Sequence, residues 1–195
     1  SNESKVNSLS DFSRKAAVRG SRDISVLYAF DLDAMEPVCS KCFPGNMLDY
    51  TAYESFISEN NITRGLIVGD KGFPASAAES HFAGHPDLHY LNPVKRNSRL
   101  IERHGMLSFE ALLPGHEGIT CKKAKVQGKG KWLYSFRDTA KAAKEEKDYL
   151  KRANSEGTYD DKEFKALQQS FGTIVLECDL DLAPEIVYKA YAERW

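Results

Sequence analysis

The position of Asp70 in the sequence predicts a role in ligand or metal binding. It follows the apolar run of residues 66–68, which glycines flank on both sides and which has the composition of a strand buried on both faces. Pro74 comes soon afterwards and suits the first turn of a helix. A carboxylate between the end of such a strand and a helix N-terminus is where open α/β sheets bind ligands and metals. The competing interpretation makes Asp70 only a turn residue, since Asp-x-Gly is ordinary turn chemistry.

Tyr191 and Arg194 form a second candidate pair near the C-terminal end of the sequence. The predicted final helix begins at Pro184, and residues three apart on a helix lie on the same face. Core packing explains an isolated Tyr-x-x-Arg equally well, so the weight of this pair depends on the segments upstream.

A group of lysines marks a predicted β-hairpin, made of residues 119–126 and 132–136 with a glycine-rich turn at 128–130. Trp132 and Tyr134 accompany these lysines in the sequence. Basic and aromatic side chains together on a β-ribbon can hold a phosphate backbone, whereas lysines on a solvated edge strand only protect that edge. Both interpretations stay open. The lysines are Lys122, Lys123, Lys125, Lys129 and Lys131.

The segment LYAFDLDAM, residues 27–35, offers a different chemistry. An apolar strand followed by Asp-x-Asp resembles the start of haloacid-dehalogenase-like phosphatases, which would make Asp31 the nucleophile and Asp33 the acid/base. Met35 stands where that family usually has Thr or Val, and the short spacing to Asp70 leaves no room for the family's intervening strands. A polar hairpin turn is the favoured interpretation of Asp31 and Asp33.

Cysteines and histidines give weaker patterns. Cys39 and Cys42 have CxxC spacing, but no second such pair exists, and residues three apart on a strand point to opposite faces. Free thiols are therefore favoured over a zinc site. His81 and His85 are spaced as neighbours on a helix, yet no glutamate lies in HExxH register, so surface or helix-end histidines are the default interpretation.

The composition limits the classes of function. The chain has 195 residues, 42% hydrophobic and 28% charged, with a net charge of −1 and no apolar run near the roughly 20 residues that cross a bilayer. Because the whole molecule is not basic, nucleic-acid binding would depend on local patches. Four cysteines without a secretory segment indicate free thiols in a reducing cytoplasm, which is the predicted location.

The predicted elements begin in the order β-β-α-β-α-β, and a more charged block follows before a final strand and helix. This order predicts an α/β fold with a mixed sheet flanked by helices, in which an antiparallel hairpin comes first and parallel strands follow. Asp138, and Asp160 or Asp161, are predicted to cap the two helices of the charged block. The predicted domains are a flexible polar arm at 1–22, a core made of 23–97 and 172–195, and an insertion at 98–171 that holds the β-hairpin and helices.

Three segments carry a resemblance to a known family. They are EPVCSKCFPGNMLD (residues 36–49), LIVGDKGF (66–73) and IVYKAYAERW (186–195), and they occur in this order along nearly the whole chain. Together they resemble the DDE transposases of bacterial insertion sequences, specifically the group with a Tyr-Arg-Glu-Lys signature. The resemblance implies a ribonuclease H-like core that hydrolyses a phosphodiester at the element end and then directs the freed 3′-hydroxyl at target DNA.

The resemblance also implies roles for individual residues. Asp70 would be the second catalytic carboxylate and would bind Mg²⁺ or Mn²⁺, in a family that uses two metals about 3.5–4 Å apart. Tyr191 and Arg194 would contact DNA near the cleaved end, with Lys71 and the hairpin lysines as weaker DNA contacts. The partners would be the element ends and target DNA, the location nucleoid-associated cytoplasm, and the full-length protein could act as a homodimer. The remaining motif positions are Gly45, Asn46, Asp49 and Gly72.

Two members of the expected carboxylate triad are not assigned in this sequence. We expect the first aspartate upstream of Ser1 and the signature glutamate just beyond Trp195, so that the chain is an internal fragment with one metal carboxylate. Weak metal binding without strand transfer is the predicted behaviour. The alternatives are a phosphatase that uses Asp31 and Asp33, and a non-catalytic nucleic-acid-binding module that relies on the lysine hairpin.

Overall fold

The computed structural model describes residues 8–11, 22–70 and 75–193. Lys71, Gly72, Pro74, Arg194 and most of the predicted 1–22 arm lie outside these residues. The strands are β1 (Ile24–Asp31), β2 (Glu36–Pro44), β3 (Gly65–Val68), β4 (Leu88–Pro93), β5 (Ala111–Leu112), β6 (Ile119–Val126), β7 (Lys131–Asp138) and β8 (Thr173–Cys178). The helices are α1 (Asp49–Glu59), α2 (Glu79–Gly84), α3 (Arg99–Arg103), α4 (Thr139–Glu156), α5 (Asp161–Gln168) and α6 (Pro184–Ala192), with a 3-10 turn at Ala75–Ala78.

One compact unit comprises the described parts of residues 1–65 and 72–88. Its β1 and β2 form an antiparallel hairpin with a bulge between Ala29 and Phe30, and α1 contacts both β1 and the 3-10 turn. Helix α1 buries Tyr53, Phe56 and Ile57, whose spacing places them along one helical face. The apolar period of the sequence therefore predicts this helix correctly.

The second unit comprises the described parts of residues 66–71 and 89–195 and contains most of a six-stranded sheet. The strand order is β3-β4-β8-β7-β6-β5, and the pairs from β4 to β5 are antiparallel. Strand β3 runs parallel to β4, because the N–H groups of Gly65 and Gly69 donate to the carbonyls of Asp87 and Leu91 with the same offset. The prediction of an α/β fold with a mixed sheet flanked by helices is confirmed.

Two features of the sheet differ from the prediction. Among the described residues, β1 and β2 pair with each other in a separate two-stranded sheet and do not lead the mixed sheet. The predicted hairpin forms as β6 and β7, but it belongs to the same sheet as β4, since β8 pairs with β4 on one side and with β7 on the other. The alternation of side chains reports which face of a strand is buried and carries no information about which strand lies beside it.

Hydrophobic clusters cover both faces of the six-stranded sheet. On one face Tyr134, Phe136 and Leu176 pack together with Val187 of α6, and all four are less than 2% exposed. On the other face Ile101 of α3 packs with Leu133, Val175 and their neighbours. Within the described residues, no helix combines the length and apolar character needed to span a membrane.

Helices α4 and α5 begin at side-chain caps. The Asp138 carboxylate accepts from the N–H of Lys141 at 3.0 Å, and that of Asp160 accepts from the N–H of Glu163 at 2.7 Å. Each bond satisfies an N–H group that has no partner within the helix. The predicted cap at Asp138 is confirmed, and the structure selects Asp160 over Asp161 for α5.

Candidate functional site

Asp70 lies exposed directly after β3, at the position the sequence predicts. The N–H of Gly69 still donates to the carbonyl of Leu91 at 2.9 Å, so β3 and β4 stay paired up to the residue before Asp70. Residues 66–68 are half-buried rather than fully buried, because β3 is the edge strand of the sheet. The carboxylate is therefore held at a strand end whose backbone is fixed on one side.

Tyr191 lies in the last turns of α6 and is half-buried. It packs against the same hydrophobic cluster as Leu66 and Val68 of β3, so the strand that precedes Asp70 and the helix that carries Tyr191 share one piece of core. Arg194, the predicted partner of Tyr191, lies outside the described residues, as does Lys71.

The described residues contain no group of three or more His, Cys, Asp or Glu side chains placed to hold a metal ion. An exposed carboxylate oxygen such as that of Asp70 is nevertheless a ligand of the type that Mg²⁺ prefers, and Mg²⁺ commonly keeps several waters around one or two protein carboxylates. A metal bound at Asp70 would therefore take most of its ligands from water.

The lysine hairpin is divided between the two faces of the sheet. Lys123 and Lys125 lie on the α6 side, and their ammonium groups stand 4.6 Å and 5.3 Å from the centre of the Trp132 ring. Lys122 and Lys131 alternate with them and point to the other side. A single continuous basic surface made of all five predicted lysines is therefore not present.

Three of these lysines form ion pairs within the chain. Lys122 pairs with Glu110 at 2.8 Å, Lys131 pairs with Glu177 at 2.7 Å, and Lys123 pairs with Asp181. Lys123 also donates to the carbonyl of Leu182 at 2.7 Å, which ties β6 to the segment before α6. Lys125 and Lys129 are exposed. A DNA phosphate would have to compete with internal carboxylates for three of the five charges.

The motif position Gly45 has a packing role. Its N–H donates to the carbonyl of Leu9 at 3.2 Å, and a Cβ on Gly45 would lie 2.7 Å from the carbonyl oxygen of Asp11 and closer still to that of Asp23. Only glycine allows this approach of three backbone segments. The two other described motif residues are exposed: Asn46 follows in the turn, and Asp49 is the first residue of α1.

Asp31 and Asp33 lie in the turn of the β1–β2 hairpin. One carboxylate oxygen of Asp31 accepts from the N–H groups of Asp33 and Ala34, both at 2.9 Å. This is an Asx-type turn, and it confirms the favoured interpretation of Asp31 as a turn residue.

The cysteines are free thiols, as predicted from their spacing. Cys42 is exposed and Cys39 is half-buried on β2. The Nε2–H of His81 donates to the carbonyl oxygen of Ile62 at 2.8 Å, and the centre of the His81 ring lies 4.5 Å from that of His85. These local contacts at α2 explain the positions of both histidine side chains.

A cavity of about 870 Å³ in the second unit was not predicted from the sequence. Its lining includes Arg96, Arg99 and Arg137, which come from the loop after β4, from α3 and from β7. The run KRNSR at residues 95–99 is the one sequence feature that could have indicated it, because three basic residues within five positions follow a predicted strand end. Arg137 is too distant in sequence to be associated with that run by spacing.

Comparison of the chain with models of protein families, with curated proteins and with solved structures finds no match.

Proposed function

We propose that the chain is part of the catalytic domain of a DDE-type insertion-sequence transposase, with a ribonuclease H-like core and with Asp70 as a metal-binding carboxylate. The observation that carries the proposal is the shared core of β3 and α6. Leu66 and Val68 precede Asp70, and they pack against the same cluster as Tyr191 in the helix that resembles the family's signature helix.

The alternation of side chains along β3 adds to this argument. Residues two apart share a face of a strand, so the side of β3 that packs Leu66 and Val68 toward α6 is also the side expected for Asp70. The bond from Gly69 to Leu91 supports extended geometry up to that point. The carboxylate and the signature helix would then face one substrate region.

In this proposal the Asp70 carboxylate would hold a hydrated divalent metal, and Tyr191 would contribute to the adjoining wall. The metal would supply Lewis-acid activation for phosphodiester hydrolysis. No second or third carboxylate of the triad is assigned in the sequence. We therefore expect the isolated chain to bind metal weakly and to lack strand-transfer activity.

The competing module that binds nucleic acid through the lysine hairpin receives less support. Three of its five lysines already pair with Glu110, Glu177 and Asp181. Exposed ion pairs are individually weak, but each one reduces the charge that remains for a phosphate.

Titration of the isotope-labelled chain with Mn²⁺, followed by NMR, tests the proposal. Paramagnetic broadening should be centred on Gly69 and Asp70, with a dissociation constant of roughly 10⁻³ M or weaker because one carboxylate supplies the site. Asp70→Asn should abolish this broadening. Asp33→Asn removes the same charge from an exposed turn and is the matched control, so it should leave the broadening unchanged. Broadening near Asp70 that survives Asp70→Asn would refute the assignment.

A further inference from the structure

The cavity of about 870 Å³, here called the arginine cavity, lies beside α3 within the second unit. Arg96, Arg99 and Arg137 line it, and Ile101 of the adjoining hydrophobic cluster forms part of its wall. Its volume is within the range of about 300–1,000 Å³ that is usual for ligand sites in proteins.

Arg96 is held in place at the cavity. One terminal nitrogen donates to both carboxylate oxygens of Glu145, at 3.1 Å and 2.9 Å, and Glu145 in turn accepts from the N–H of Gly172 at 3.0 Å. An arginine fixed in this way loses little conformational entropy when a ligand arrives. Its remaining nitrogen donors can therefore contribute to binding at low cost.

Arg99 and Arg137 supply donors that the protein itself leaves available. Within the described residues, Arg99 makes no ion pair or side-chain hydrogen bond, and the one side-chain bond of Arg137 runs from Nε to the carbonyl of Phe171 at 3.4 Å. Glu102 and Glu146 also line the cavity. Glu145 offsets the charge of Arg96, and Glu102 and Glu146 balance Arg99 and Arg137 in number. This balance disfavours a highly charged polyanion inside the cavity, and a single phosphate would be bound through the spare donors of Arg99 and Arg137.

The rest of the lining suits a planar, partly polar group. Phe109 is half-buried in the wall, and Gln169 is an exposed residue of the same lining. Guanidinium groups bind phosphate oxygens by forked hydrogen bonds, aromatic rings stack with nucleobases, and amides pair with base edges. We propose that the arginine cavity binds one nucleoside phosphate unit, either as a free nucleotide or within single-stranded DNA.

This inference goes beyond the proposed function and does not require Asp70. The cavity adjoins the cluster of Ile101 and Val175, on the opposite face of the sheet from α6. Loss of metal binding in Asp70→Asn should leave the arginine cavity unaffected. The two proposals can therefore fail independently.

Fluorescence anisotropy with a labelled oligothymidylate is the direct test. Arg99→Gln should weaken binding about tenfold, because a charge-assisted hydrogen bond to phosphate is lost. The slope of log affinity against log salt should fall by about 0.7 for this single strand. Arg103→Gln is the matched control: Arg103 is an exposed arginine of the same helix that does not line the cavity, and its replacement should change affinity less than twofold.

Two further variants keep the proposal falsifiable. Phe109→Leu should weaken binding of the oligonucleotide and leave competition by inorganic phosphate unchanged, since only base stacking is lost. Arg137→Gln should weaken both, and its thermal unfolding reports whether the loss of the bond to Phe171 disturbs the fold. Equal effects of Arg99→Gln and Arg103→Gln would overturn the proposal, as would competition by inorganic phosphate as strong as that by thymidine monophosphate.

Competition also distinguishes the two sources of the ligand. If the oligonucleotide binds more tightly than thymidine monophosphate, the site accepts a unit of single-stranded DNA. The reverse order assigns the site to a free nucleotide. Both orders support the proposal, and failure of both ligands to bind to the unmodified chain overturns it.

Discussion

Replacing Gly45 by alanine should destabilise the first unit much more than the same change at an open position. Gly45 does not have a positive φ, so alanine is not excluded there by its backbone conformation. The obstacle is packing, because the added Cβ would lie within 2.7 Å of the Asp11 carbonyl oxygen and nearer still to that of Asp23. Both contacts are to backbone, which cannot rotate away as a flexible side chain could.

The size of this destabilisation depends on which backbone segments the added Cβ displaces. Relief of the clashes displaces the backbone around Asp11 and Asp23, where the described residues show three backbone hydrogen bonds: two between Asp11 and Asp23, at 3.1 Å and 2.9 Å, and one from Gly45 to Leu9 at 3.2 Å. Each bond contributes a net 0.5–1.5 kcal/mol, roughly, and overpacking costs a further 1–3 kcal/mol, roughly. With all three bonds lost, Gly45→Ala should lower the local free energy of unfolding by about 2.5–7.5 kcal/mol.

Hydrogen exchange measured by mass spectrometry is the appropriate assay, because it reports each unit separately. In Gly45→Ala, protection of peptides from β1 and β2 should fall by at least about fiftyfold, given that 1.4 kcal/mol corresponds to about a factor of ten. Gly84→Ala is the matched control, since no atom lies within 4 Å of its added Cβ and its φ is not positive. Equal protection of β1 and β2 in the two variants would refute the packing argument.

Two further predictions concern ionisation and reactivity. Burial of Glu145 opposes its charge, but a backbone N–H and the Arg96 guanidinium outweigh that effect and hold the pKa of this carboxyl below its usual range. Its contribution to stability is therefore present above the unfolded pKa and lost as the pH falls through the folded value, so Glu145→Gln should flatten the acid side of a urea-midpoint profile by about 0.5–1 kcal/mol. Cys178 is fully buried, and burial raises its pKa to about 11; a thiol reagent should modify exposed Cys42 in the native protein and reach Cys178 only at the rate of unfolding, which labelling with mass detection would measure.

The sequence predicted local structure well where a single residue decides it. Asp138 accepts a bond from a helical N–H because its side chain is short and acidic and precedes the helix, and these properties are visible in the sequence. Asp31 likewise closes its own turn through neighbours only two and three residues away. The order of strands and helices could be predicted for the same reason, because the periodicity of hydrophobic residues depends only on residues close together in the sequence.

Sequence spacing alone could not predict contacts between residues that are far apart in the chain. Lys123 was predicted to face DNA phosphates, but its ammonium group pairs with Asp181, more than fifty positions away. Arg96 and Arg137 meet at one cavity because β4 and β7 both flank β8, an arrangement that depends on strand order in the sheet. The roles of Asp70 and Tyr191 remain predictions, and the structure adds their common hydrophobic support through Leu66 and Val68.

Strand β8 lies in the middle of its sheet although it comes last in sequence among the six strands of that sheet. Until residues 173–178 have left the ribosome, β4 and β7 each present an unpaired edge, so the sheet is completed only after its other five strands have emerged. Exposed edges of this kind recruit other chains, and pairing across large sequence separations is slow. Products truncated before Thr173 should consequently aggregate during expression, whatever the stability of the complete protein.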